Sequence, residues 1–159
     1  IENPHDHLSP EKSTKIIVSH VTDGAEMVKK HKLPKEIVDI VEQHHGTTLL
    51  KFFYHKASET GAEVKEKEFR YPGPKAQTKE AAIIGIADSV EAAVRSLKSP
   101  TQATIEKLVK SIIADRLNDG QLDECDLTFK ELNKIYQSLC ETLAGIFHNR
   151  IEYPELEKE

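Results

Sequence analysis

Residues 78–97 leave the chain little choice of local structure. Thr78 can cap a helix with its hydroxyl, Glu80 puts an acid in the first turn, and no proline follows. Ala81, Ala82, Ile83, Ile84, Ile86, Ala87, Val90, Ala93, Val94 and Leu97 then recur at helical spacing. The same grammar runs through the rest of the sequence. Ser9-Pro10-Glu11-Lys12 starts a helix that carries Ile16, Ile17 and His20, and Asp23-Gly24 is expected to break or bend it. A second helix is expected from Gly24 to Lys32, with Ala25, Met27 and Val28. Pro34 restarts the chain for a buried helix with Ile37, Val38, Ile40 and Val41, which ends in His44 and His45 before Gly46.

Residues 48–57 hold Leu49, Leu50, Phe52, Phe53 and Tyr54 and read as a further helix, with the phenylalanines in the core. Residues 58–67 are polar, and Tyr71-Pro72-Gly73-Pro74 is a rigid turn. Ser99-Pro100 precedes a helix over residues 101–117 with Ile105, Leu108, Val109, Ile112 and Ile113 on its apolar face; Asp119-Gly120 ends it. The last helix spans about residues 128–148, with Leu132, Ile135, Leu139, Leu143 and Phe147 in one stripe. No strand pattern and no repeat is visible. The expected fold is all-α, a compact bundle of roughly six helices over residues 1–154, with residues 155–159 fraying after Pro154.

Composition enters where partners are concerned. The 159 residues are 38% hydrophobic and 31% charged, enough for one folded domain with a core. A net charge of -5 argues against binding DNA or RNA polymers through their phosphates. It leaves room for a small phosphate ligand in a locally positive, metal-loaded pocket. Cys125 and Cys140 have no metal-type spacing and are expected to fill helix faces.

The chemistry-bearing residues are His20, His44, His45 and Asp88. Neutral imidazole is the commonest transition-metal ligand, and neighbouring side chains on a helix point in different directions, so an adjacent pair rarely serves packing alone. Asp88 shares its helix face with Ala81, Ile84 and Ala92, where a buried carboxylate costs several kcal/mol unless a metal or cation offsets it. His20 is open to two readings, a ligand or a core histidine with one ring nitrogen on a backbone carbonyl. Together these residues bring imidazoles and a carboxylate from three helices, a mixed set that suits Mn, Fe, Co or Zn better than Mg or Ca.

The order His, His-His, Asp on successive helices resembles the later part of the HD superfamily of metal-dependent phosphohydrolases. The stretches Asn3-Pro4-His5-Asp6, His20-Val21-Thr22-Asp23-Gly24, His44-His45-Gly46-Thr47, Tyr71-Pro72-Gly73-Pro74-Lys75, Ala87-Asp88-Ser89-Val90-Glu91-Ala92, Asp119-Gly120-Gln121-Leu122-Asp123-Glu124 and Ile146 to Pro154 narrow it. They resemble the cytoplasmic HD domain of the seven-transmembrane, PgpH-type cyclic di-AMP phosphodiesterases of bacteria. The resemblance implies a two-metal site, Mn or Fe, and hydrolysis of cyclic di-AMP to linear pApA by metal-activated hydroxide. It implies His20, His44, His45 and Asp88 as metal ligands. It also implies an earlier His and an adjacent His-Asp pair, both upstream of Ile1. His5-Asp6 matches a different segment and is not that pair. Ile1 is not a natural start, so the sequence reads as a piece of a longer protein whose other parts would attach it to the cytoplasmic side of the membrane. Lys75 and Arg70 are candidates for phosphate contacts, and Tyr71, Phe52 or Tyr54 for stacking on adenine. Two alternatives stand beside this reading: hydrolysis of another nucleotide, and a non-catalytic module that binds a nucleotide or a partner protein.

Overall fold

The computed structural model describes residues 3–148. Six α-helices lie among them: α1 (Pro10–Lys30), α2 (Lys35–Gln43), α3 (Lys51–Ser58), α4 (Lys79–Arg95), α5 (Gln102–Asn118) and α6 (Phe129–His148). Two 3₁₀ turns, Pro4–His7 and Glu66–Phe69, complete the regular structure apart from one antiparallel bridge between Leu49 and Arg70. The expected tail, residues 155–159, lies outside the described residues.

The caps expected at Ser9 and Thr78 are observed, and Thr101 adds a third. Ser9, Thr78 and Thr101 each accept a hydrogen bond from the backbone of the first turn of α1, α4 and α5. One boundary differs. Asp23-Gly24 does not interrupt α1, which continues through both residues. A helix-interior glycine costs only about 1 kcal/mol against alanine, and here it admits a close neighbour: a Cβ on Gly24 would stand 3.2 Å from Val41 Cγ1 of α2.

The buried apolar cluster is built by α4, α5 and α6. Ala81, Ala82, Ile86, Val90 and Val94 of α4 meet Ile105 and Val109 of α5, Leu122 of the following loop, and Leu132, Cys140 and Leu143 of α6. Cys125 sits in that loop, not on a helix face, and packs against the cluster. The N-terminal helices form a second layer, in which α1 packs on α2 and α3, and α2 packs on α4. The phenylalanines of α3 divide. Phe53 is half-buried, whereas Phe52 is 69% exposed and not in the core. An eight-residue helix that packs on α1 and the Glu66–Phe69 turn still leaves a face in solvent, and Phe52 lies on it. Phe69, from the 3₁₀ turn, takes the core position instead and is fully buried.

Candidate metal centre

His20 of α1, His44 and His45 converge, with one ring nitrogen from each lying within 4.8 Å of the others. Adjacent residues can converge because α2 ends just before them. Gln43 is its last residue, His44 is the C-cap, and residues 44–47 form a turn. Gly46 makes that turn at φ +53°, where an L side chain is strained, and a Cβ there would stand 2.6 Å from Gln121 Oε1.

The turn is clamped from several sides. The buried Gln121 accepts from Thr47 N (3.0 Å) and donates to Thr47 Oγ1 (3.0 Å) and Asp119 Oδ2 (2.9 Å). The buried Gln43 accepts from Gln77 N at 3.0 Å. Tyr71 N donates to Thr48 O (3.0 Å), which brings the Tyr71 ring flat against His45, 4.3 Å between centroids and 11° between planes.

Backbone carbonyls orient two of the imidazoles so that they could serve as ligands. The Nδ1 atoms of His20 and His44 lie against Ile17 O and Val41 O. A carbonyl only accepts, so each Nδ1 carries the hydrogen and, in a neutral ring, each Nε2 is a bare lone pair. Those two Nε2 atoms face each other at 3.4 Å. Two lone pairs repel at that separation, and a shared cation removes the repulsion. Burial first, then the neighbouring His44, His20 and Arg116, lower the His45 pKa to about 3, so this ring stays neutral and ready to ligate. The donor set fits a divalent transition metal.

Asp88 stands beside the group, and differently from expectation. Its Oδ2 is 3.6 Å from His45 Nε2, but its side chain is 52% exposed. Ile84, one turn earlier, is exposed as well. The small apolar face shared by Ala81, Ile84 and Ala92 is split by the packing: Ala81 is buried, whereas Ile84, Asp88 and Ala92 are exposed. His20 is also exposed rather than a core residue, although one ring nitrogen does meet a backbone carbonyl.

Of the two basic candidates, Arg70 is fully engaged with acidic and backbone partners. Arg70 donates to Asp119 twice (2.9 and 3.0 Å), to Glu66 (2.6 and 3.0 Å) and to Thr47 O (2.7 Å). These contacts engage its whole fork and, led by the hydrogen bond to Asp119, raise its pKa; the same contact lowers that of Asp119. Lys75 lies over Gly120, and its charge also lowers the Asp119 pKa. The Tyr71 pKa is pushed up to about 12, by burial first and then by Asp88. A cavity of about 310 Å³ opens beside His45 and Tyr71, walled by Ser89, Lys51, Asp115 and Arg116.

A family model described as HD domain matches residues 2–93. The chain belongs to the HD-domain family. Cyclic-di-AMP phosphodiesterase PgpH of Bacillus subtilis is 66% identical over 159 residues, 100% of this chain and 22% of that protein. Its counterpart of the same name in Listeria monocytogenes is 58% identical over 153 residues, 96% of this chain and 21% of that protein. The chain thus spans about a fifth of the length of the curated relatives it matches. A solved structure of the L. monocytogenes PgpH HD domain in complex with cyclic-di-AMP superposes with a TM-score of 0.90 at 58% identity, covering 95% of this chain and 71% of that one. The all-α HD-domain fold expected from the sequence is therefore the observed one. The HD superfamily is metal-dependent, and the His20–His44–His45 cluster lies within the matched stretch.

Two contributors to the site do not stand out in the sequence. Neither Gly85 nor Arg116 is assigned a role from the sequence. The signal for Arg116 was its register: it continues the apolar stripe Ile105, Val109 and Ile112 at the next helical step, and it is 8% exposed.

Proposed function

We propose that this chain carries the later metal ligands of a phosphodiesterase that hydrolyses cyclic di-AMP to linear pApA. The observation that carries the reading is the anchored convergence of His20, His44 and His45, with Asp88 at its open edge. The names of the relatives, and the cyclic di-AMP in the complex of the similar HD domain, supply the substrate. His20, His44, His45 and Asp88 would hold divalent metal as part of a two-metal site for Mn or Fe. When bound, such ions supply Lewis acidity toward a phosphodiester and activate water.

The chain's own residues prepare that chemistry. Ile17 O and Val41 O keep the Nδ1 hydrogens and leave the Nε2 lone pairs pointed inward. Tyr71 shields one face of His45 from water. Tyr71 and Lys75 are the proposed substrate-facing groups; Arg70 reaches a phosphate only by releasing Glu66 or Asp119. No helix among the described residues is long and apolar enough to cross a membrane. The proposed location of this domain is the cytoplasmic face of the bacterial membrane, where other parts of the polypeptide would hold it.

The test is turnover of cyclic di-AMP against cyclic di-GMP by the full-length protein with Mn²⁺, the products separated by chromatography. The expected product is pApA, and Asp88→Ala lowers its formation by at least about a hundredfold, beyond the usual cost of changing an outer-shell residue. Turnover of other nucleotides alone selects a different substrate. Binding of cyclic di-AMP without hydrolysis overturns the enzymatic reading.

A further inference from the structure

The residues that face the metal centre come from α1, the end of α2, and α4, yet their mutual spacing runs through α5. Arg116 Nη2 donates to Gly85 O (3.0 Å) and Ser89 Oγ (2.8 Å), and Nη1 reaches His44 O at 3.5 Å. Gly85 and Ser89 bracket Asp88 on α4. His44 closes α2, where backbone carbonyls lack helical partners and a cation suits the helix dipole. One guanidinium therefore ties the His44–His45 turn to the stretch of α4 that carries Asp88. The two backbones meet with no room for a methyl group: a Cβ on Gly85 would stand 2.1 Å from His44 O and 3.1 Å from Arg116 Nη1. Arg116 lies beyond residues 2–93, so it is no part of the stretch the family model matches.

We infer that Arg116 is a positioning residue of the metal centre, setting the separation between the His44–His45 pair and Asp88 across the gap that Gly85 leaves. The inference rests on the metal-centre reading. It is a claim about geometry, not charge. A cation this close opposes a bound dication electrostatically, so its benefit must come from the planar fork, which a lysine cannot reproduce.

The experiment measures Mn²⁺ affinity of the full-length protein from the spin-resonance signal of free Mn²⁺, together with the melting temperature of the metal-free protein. Arg116→Lys, which keeps the charge, is expected to weaken Mn²⁺ binding about tenfold or more at temperatures where it is fully folded, as does Arg116→Met. A merely structural arginine would lower the melting temperature and leave the affinity of the folded protein alone. Parental affinity in a folded Arg116→Lys, or tighter binding in Arg116→Met, overturns the assignment. If neither variant folds, Ser89→Ala carries the test: loosened Mn²⁺ binding supports the assignment and unchanged binding overturns it. A parent protein that takes up no Mn²⁺ overturns the metal-centre reading itself, a result distinct from any difference between variants.

Discussion

The two layers of the molecule invest their residues differently. The α4–α6 layer holds the continuous apolar cluster, from Ala76 to Leu143. The α1–α3 layer holds the clustered imidazoles of His20, His44 and His45, and its buried apolar side chains are few: Val21, Ala25, Val38 and Ala57. Helix α4 belongs to both: Ile86 and Val90 face the core while Asp88 lies at the open edge of the histidines. Stability and chemistry are thus placed on different sides of one helix. They meet where Gly85 touches the His44 carbonyl.

The separation can be broken most sharply by crossing two substitutions. Ile86→Ala should cost about 3 kcal/mol of unfolding free energy, since Ile86 is fully buried, and leave metal affinity unchanged while folded. His44→Ala should do the reverse, weakening Mn²⁺ binding by about a hundredfold or more, above the range for outer-shell changes, with metal-free stability nearly kept. Denaturant unfolding and Mn²⁺ titration of both proteins give the answer. A large loss of metal-free stability in His44→Ala would merge the two layers.

A smaller effect comes from pH. The His45 pKa is lowered to about 3, burial being the largest cause. The unfolded chain has its usual imidazole value of about 6.5 and takes up the proton first. This contribution to stability is therefore fully present above about pH 6.5, is lost as pH falls, and levels off only near pH 3, with a slope approaching about 1.4 kcal/mol per pH unit. Urea unfolding of metal-free parent and His45→Gln between pH 7 and 4 should show the slope in the parent and its loss in the variant. Parallel curves would mean that His45 is not buried as a neutral ring.

The smallest effect is expected at Phe52. With 69% of its surface in solvent, Phe52→Ser should change stability by no more than about 0.5 kcal/mol. A cost of several kcal/mol would show that α3 contributes to the core after all.

Much of this was legible in the residues. Ser9 and Thr78 announced two helix starts and Ser99-Pro100 the break before a third, and the apolar stripes of α4, α5 and α6 announced the layer they form. His20, His44, His45 and Asp88 stood out by type and order together; the histidine pair alone is as well suited to a solvated surface, and its company with His20 and Asp88 is what singled it out. Asp23-Gly24 misled because one glycine serves equally as a stop and as a gap between helices, and only the neighbour, Val41, tells which. Phe52 misled because hydrophobicity states a preference for burial without supplying a partner.

Local chemistry, at short range along the chain, determined where helices begin and which side chains can bind metal, since caps and periodicity act within a turn or two. Only the tertiary structure decided that adjacent histidines converge and that Asp88 lies open. It alone decided that an arginine seventy-two residues from His44 spans the gap at Gly85. Those outcomes depend on distances between helices, and such distances are set by the packing of the whole chain rather than by any one segment.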